Sequence, residues 1–141
     1  MAIQVTTTGT TSAAHVGIYA DNGNMYPSSL VVDGGTVLTT TTGMKTFNTS
    51  VTLQPGLYWL VHNSNGTVAQ IRAFTNPAGF TPILGLDNVL TAQWGIGWQV
   101  AHTFTVPYSL PATFPGGGLV INSTAVAAGT AIPVVTVRIS G

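Results

Sequence analysis

The feature that most constrains the fold is a succession of short apolar segments separated by turn residues, which runs from residue 14 to residue 75. At its centre the turn pair Pro55-Gly56 precedes residues 57–63, where large apolar side chains occupy both alternate positions. Short segments rich in β-branched and aromatic residues, bounded by Gly, Pro, Asn and Asp, are typical of β-strands. No segment has the periodicity of an amphipathic helix. The sequence therefore predicts an all-β fold.

The first part of this succession predicts two strands joined by a turn. Residues 14–20 are predicted to form the first core strand, which ends at the turn-rich residues 21–24. Residues 30–33 and 36–40 are predicted to form the second strand. Gly34-Gly35 interrupts that strand, and the simplest interpretation is a bulge or kink.

The next segments predict a hairpin. Residues 45–53 alternate at period two, which puts four side chains on one core-facing side: Phe47, Thr49, Val51 and Leu53. Residues 57–63 are apolar on both faces, as is typical of a central strand. Asn65-Gly66 is the strongest hairpin signal in the chain and predicts that residues 57–63 pair with residues 68–75.

Two regions depart from this pattern and are predicted to serve contacts between subunits. Residues 1–13 are rich in threonine and lack a core-forming run, which predicts an extended N-terminal arm or an edge strand. Residues 76–118 contain five of the eight prolines, and only residues 99–106 among them are predicted to form a strand. Aromatic, charge-poor segments of this kind are enriched in interface cores. The predicted interface residues are Trp94, Trp98, Phe104, Tyr108 and Phe114, with Thr6, Thr7 and Thr8 from the arm.

The whole chain is predicted to be one domain. Its 141 residues suit a single β-domain, and strands at residues 119–122 and 132–139 complete it. We expect a jelly-roll-like antiparallel β-sandwich of about eight strands over residues 14–141. Residues 76–118 would form a long irregular insertion rich in proline, glycine and aromatic residues.

Composition restricts the classes of partner. Charged residues make up 4% of the chain and the net charge is zero, whereas soluble domains average about 25% charged residues. So few charges give little protection against association, which favours a chain that functions in an assembly. They also argue against nucleic acid, because counterion release needs a basic patch. No apolar stretch is long enough to span a membrane as a helix.

The chain carries no recognisable catalytic or metal-binding motif. Its three histidines, His15, His62 and His102, lack the local spacing of metal ligands. Asp21 and Asp33 lie beside turn residues that account for them, and no serine has the surroundings of a hydrolase nucleophile. Cysteine is absent, which excludes disulfides and zinc–thiolate sites. We therefore expect neither an enzyme nor a bound cofactor.

Four short stretches carry a resemblance to a known family. They are residues 16–23, the Tyr26-Pro27-Ser28 loop, residues 30–37, and Leu57-Tyr58-Trp59-Leu60. In the order and spacing of strands and turns, residues 1–75 resemble a β-sandwich module of tailed-bacteriophage virion proteins. In that family the module occurs in capsid decoration proteins and in tail or head fibres. The resemblance thus implies a virion component made in the host cytoplasm.

Two functions are compatible with this resemblance. The first is a capsid decoration, or cement, protein on the capsid surface, which trimerises and binds the major capsid protein. It is favoured because a fibre carries a long shaft before its tip, whereas here the module follows Met1 closely. The alternative is a receptor- or carbohydrate-binding fibre module that stacks the loop aromatics on a host-surface glycan.

Overall fold

The computed structural model describes residues 1–65, 69–72, 96–99, 109–116 and 119–122, the two four-residue strands through their backbone. These residues form β-strands and no helix, which confirms the all-β prediction for the described part of the chain. The strands are β1 (Ala2–Thr7), β2 (Ala13–Asp21), β3 (Pro27–Leu38), β4 (Gly43–Thr46), β5 (Tyr58–Ser64), β6 (Gln70–Ile71), β7 (Ile96–Gln99) and β8 (Leu119–Asn122).

The strands are arranged in antiparallel sheets. The first sheet has the order β4-β1-β6 and the second sheet the order β3-β2-β5. Strands β7 and β8 pair with each other, which confirms the strand predicted at residues 119–122. A core cluster joins residues of both three-stranded sheets, since Ile3 of β1 and Phe47, just after β4, pack with Ala14 and Val16 of β2.

Strand β2 is buried on both of its faces, which is why its sequence is almost continuously apolar. Ala14 and Val16 point into the core cluster that includes Ile3 and Phe47. Tyr19, on the other face, belongs to a second cluster that includes Trp59 of β5. The prediction of a first core strand at residues 14–20 is confirmed.

The predicted bulge in β3 is also confirmed. His15 pairs with Thr36 and Gly17 pairs with Asp33, so β3 has one more residue than β2 between these two pairs. Gly35 has a φ of +84°, in the left-handed region that favours glycine. A Cβ at Gly34 would lie 2.8 Å from the Val16 carbonyl oxygen. Both glycines are therefore required by the backbone geometry.

The prediction of an extended N-terminal arm is wrong for residues 2–7. They form β1, the middle strand of the first sheet, and the side chains of Ile3 and Val5 are each 1% exposed. The Met1 ammonium donates a hydrogen bond to the Phe47 carbonyl oxygen over 2.9 Å. Two β-branched residues at alternate positions, Ile3 and Val5, are enough to bury one face of a strand. The threonines that follow them make this short apolar pattern hard to recognise in the sequence.

The predicted strand over residues 45–53 is too long. β4 ends at Thr46, Phe47 is buried as predicted, and Thr49, Val51 and Leu53 are exposed. A period-two pattern shows which side chains share a side of an extended chain. It does not show that another layer covers that side.

The predicted hairpin across Asn65-Gly66 is wrong for the described residues. β5 pairs with β2 and lies at the described edge of the second sheet, whereas β6 pairs with β1 in the first sheet. The Asn65 side chain instead accepts a hydrogen bond from the Ala13 amide over 2.7 Å. Of the remaining predicted strands, residues 99–106 beyond Gln99 and residues 132–139 lie outside the described residues.

Candidate functional site

The best-defined constellation of polar and aromatic groups lies on one face of the second sheet. Cross-strand pairing puts Gly17 and Tyr19 of β2, Leu30 of β3, and Trp59 and Val61 of β5 on this face. We call it the aromatic face. Residues 109–116 lie against it and are called the docked segment, because Leu110 and Phe114 belong to the same buried cluster as Tyr19 and Trp59.

The docked segment extends the sheet at β3. The Leu30 amide donates to the Ala112 carbonyl oxygen over 2.9 Å, and the Phe114 amide donates to the Ser28 carbonyl oxygen over 2.7 Å. Ser29 and Thr113 form an antiparallel bridge between these two hydrogen bonds. The docked segment thus uses the backbone groups of β3 that face away from β2.

Two tyrosines bind the docked segment through its carbonyl groups and its phenylalanine ring. The Tyr19 hydroxyl donates to the Pro111 carbonyl oxygen over 2.6 Å, and the Tyr26 hydroxyl donates to the Pro115 carbonyl oxygen over 2.8 Å. The Phe114 ring meets both tyrosine rings edge to face, with centroids 5.4 Å from Tyr19 and 5.7 Å from Tyr26. Burial, with a contribution from the Asp33 charge, raises the pKa of Tyr19 to about 12. Its hydroxyl is therefore a donor at neutral pH.

Leu110 fills a site created by a missing side chain. A Cβ at Gly17 would lie 2.3 Å from the Leu110 Cδ1 atom and 2.8 Å from the Val32 carbonyl oxygen. The Leu110 amide donates to Asp33 Oδ2 over 3.0 Å. Glycine at position 17 therefore leaves the space in which Leu110 packs on the sheet.

Asp33 connects the docked segment to the bulge and to a buried histidine. Its Oδ1 atom accepts the Gly35 amide over 2.9 Å and also pairs with His15 Nε2. His15 is 2% exposed, and its Nδ1 atom shares a hydrogen bond with Thr36 Oγ1 over 2.8 Å. Burial acts to raise the pKa of Asp33, but hydrogen bonds from Leu110, Gly35 and His15 outweigh it and lower the pKa.

The sequence of hydroxyl, imidazole and carboxylate from Thr36 through His15 to Asp33 has the order of groups found in a hydrolase relay. In this protein the cluster has a structural explanation. The bulge takes the Gly35 amide out of the regular ladder, and the Asp33 carboxylate satisfies it. The same carboxylate satisfies the Leu110 amide.

Asp21 has a comparable role at the other end of β2. Its Oδ1 atom accepts the amides of Gly23 and Met25, and its Oδ2 atom accepts the Trp59 indole N–H over 2.7 Å. Asp21 therefore stabilises the turn and fixes the Trp59 ring. The prediction that Asp21 and Asp33 serve turns is confirmed by these bonds.

Those predicted interface residues that the structure describes are not brought together. Phe114 is 8% exposed and packs inside its own chain, so little of its side chain is accessible to a partner. Thr6, Thr7 and Thr8 are exposed, and the Thr6 and Thr7 hydroxyls donate to the Gln70 carbonyl and side chain respectively. The backbone of Trp98 lies in β7 opposite Val120. Trp94, Phe104 and Tyr108 lie outside the described residues.

A second feature, missed at the sequence level, is an exposed apolar surface. Every residue from 48 to 57 is exposed, none lies in a strand, and none carries a charge. Val51, Leu53 and Leu57 lie in this run, which we call the exposed run, and Leu60 follows on the exposed surface of β5. Leu38 and Met44 are more exposed still, at 66% and 62%.

The described residues contain no group of three or more histidine, cysteine, aspartate or glutamate side chains that could hold a metal ion. Within the same residues, no helix is long and apolar enough to cross a lipid bilayer. Comparison with protein-family models, with curated proteins and with solved structures gives no match to this chain.

Proposed function

We propose that this chain is a structural virion protein, a capsid decoration protein that oligomerises and binds the assembled shell of major capsid protein. The observation that carries the proposal is the exposed run, residues 48–57, with Leu60 beside it. Ten consecutive exposed residues without a charge, three of them Val51, Leu53 and Leu57, have the composition of an interface core. Fully burying one such side chain contributes about 1.5–3 kcal/mol.

The proposed architecture is the jelly-roll-like β-sandwich of the phage module that residues 1–75 resemble. Contacts of Ile3 and Phe47 with Val16 support it, because they join the two three-stranded sheets through one core cluster. The exposed run then lies between β4 of one sheet and β5 of the other, and connects them.

The proposed mechanism is stabilisation by binding to the assembled state alone. A protein that binds the shell but not its free subunits shifts the equilibrium toward the shell. A trimer suits this role, because closed symmetry leaves no unpaired interface. The shell surface and the neighbouring copies would together cover the exposed run, which explains a surface that is so apolar in the single chain.

The test combines light scattering with co-sedimentation on undecorated phage capsids. The variant is Leu53→Ser/Leu57→Ser, and the matched control is Thr52→Ser, which changes an exposed side chain of the same run and removes only one methyl group. We expect the wild-type chain and the control to form trimers that pellet with capsids, and the double variant to lose at least about tenfold in affinity.

Three outcomes would contradict the proposal or part of it. Wild-type chain that stays in the supernatant with every capsid tested would exclude a decoration role. Adsorption to host cells, lost on competition with a surface glycan, would establish the receptor-binding role instead. A double variant that pellets like the control would show that the exposed run is not the contact surface.

A further inference from the structure

We propose that the aromatic face and the adjoining edge of β3 form a peptide-binding site for an extended Leu-Pro-x-x-Phe-Pro segment, and that a second copy of this chain supplies that segment in the assembly. The segment that carries this pattern is Leu110 to Pro115. The second copy rests on the proposed oligomerisation, whereas the ligand class rests on the contacts of the docked segment alone.

The first support is the way the backbone of the docked segment is held. Leu30 donates to Ala112, Phe114 donates to Ser28, and an antiparallel bridge links Ser29 to Thr113. Proteins that bind peptides by strand addition use this arrangement, in which main-chain hydrogen bonds supply affinity and side-chain pockets supply specificity.

The second support is a pair of side-chain pockets four residues apart. Leu110 packs above Gly17, where a Cβ would come within 2.3 Å of it. Phe114 packs between the rings of Tyr19 and Tyr26. The pockets select an aliphatic residue at the first position and an aromatic residue at the fifth.

The third support is recognition of proline carbonyls. Tyr19 and Tyr26 donate hydroxyl hydrogen bonds to the carbonyl oxygens of Pro111 and Pro115. A proline has no amide hydrogen, so its carbonyl is its only backbone group for hydrogen bonding. Aromatic grooves that bind proline-containing segments benefit from the restricted backbone of the ligand, which loses less entropy on binding.

A second copy is a suitable source because exchange of the segment conserves every contact. Residues 72–95 separate β6 from β7, and a chain of 24 residues can span at most about 80 Å when extended. Exchange between copies costs little when the contacts are identical, and the balance depends on concentration. In a dense assembly the local concentration of segments from neighbouring copies approaches the millimolar range. At that concentration a neighbour's segment can compete with the chain's own tethered segment for the aromatic face.

The test uses engineered cysteines, since the chain has none of its own. Ser29 and Thr113 are bridge partners and both are exposed, so a disulfide can join them without disturbing the core. Chains carrying Ser29→Cys alone are mixed with chains carrying Thr113→Cys alone, refolded together under mild oxidation and separated without reductant. A covalent dimer between the two variants, in excess of the dimers that each variant forms alone, indicates that the segment of one copy lies on β3 of the other.

We expect this mixed dimer to accumulate at least about tenfold above the dimers formed in either single-variant solution. A blocked peptide with the sequence of residues 109–116 and Thr113→Cys should also couple to Ser29→Cys chains. The matched control peptide carries Phe114→Ser in addition, and we expect it to couple at least about tenfold more weakly.

Three results would overturn the proposal or part of it. Equal coupling of the two peptides would show that the face does not select this ligand class. Absence of mixed dimer, with efficient intrachain coupling in a Ser29→Cys/Thr113→Cys chain, would exclude exchange between copies. Absence of coupling at millimolar peptide would show that the face does not take this ligand from outside its own chain. None of these readouts involves capsids, so the decoration role stands or falls separately.

Discussion

His62 on β5 is the residue whose burial has the clearest consequence for stability. Its Nε2 atom has no hydrogen-bond partner in the described structure, and burial lowers its pKa from 6.5 to about 4. Since the native imidazole resists protonation and the unfolded one does not, the unfolded state binds the additional proton between these two pH values.

We therefore predict that stability is greatest above pH 6.5 and falls as the pH decreases toward about 4. The loss attributable to His62 is on the order of 3 kcal/mol, because one pKa unit corresponds to about 1.4 kcal/mol. Urea unfolding at a series of pH values measures it, with His62→Leu as the comparison. The prediction fails if the variant loses as much stability over this window as the wild type.

Gly17 is the residue on which the docked segment depends most directly. We predict that Gly17→Ala costs about 1–3 kcal/mol of unfolding free energy, because the new methyl group would meet both Leu110 and the Val32 carbonyl. Adding Leu110→Ala removes the first of these contacts and should make the double variant more stable than additivity predicts. Thermal unfolding of the four chains provides this comparison, and strict additivity would contradict direct contact between the two sites.

At the scale of elements, local signals in the sequence are reliable where a short segment determines its own geometry. The bulge at Gly34-Gly35 is predictable because the two glycines, with Asp33 before them, create it locally. The pairing of β5 is not predictable in this way, because Asn65-Gly66 satisfies the local rules for a hairpin although β5 pairs with β2. The partner is chosen instead by the long-range match between β5 and β2.

The candidate site can be predicted from the sequence only in part, for the same reason. Phe114 is recognisable in the sequence as an aromatic residue in a proline-rich segment, but its partners Tyr19 and Tyr26 lie about ninety residues away. The sequence signal for the docked segment is the order Leu-Pro-x-x-Phe-Pro, in which a large apolar residue precedes each of two prolines. Nothing in that order specifies which face receives it.

Strand β1 is the central strand of the first sheet, and the sheet should depend on it. Deleting residues 1–7 removes the middle strand of the first sheet, with Ile3 and Val5, so we predict that the shortened chain does not fold. Circular dichroism and amide chemical-shift dispersion report the outcome. The matched control replaces Thr6, Thr7 and Thr8 by serine, which keeps β1 and changes exposed side chains only. A folded deletion variant would show that the first sheet does not need its central strand.

For the whole molecule, the scarcity of charge and the exposed run together specify how association should respond to solution conditions. We predict that oligomerisation, and capsid binding with it, changes by less than about twofold between 0.05 M and 0.5 M NaCl, because screening weakens only interactions between charges. Association through an apolar surface should instead show a negative heat-capacity change. Light scattering and calorimetry measure the two quantities on the wild-type chain, with Lys45→Gln as a control that removes an exposed cation. An affinity that falls by tenfold or more with salt, in the wild type and not in the Lys45 variant, would place a charge at the interface and contradict assembly through the exposed run.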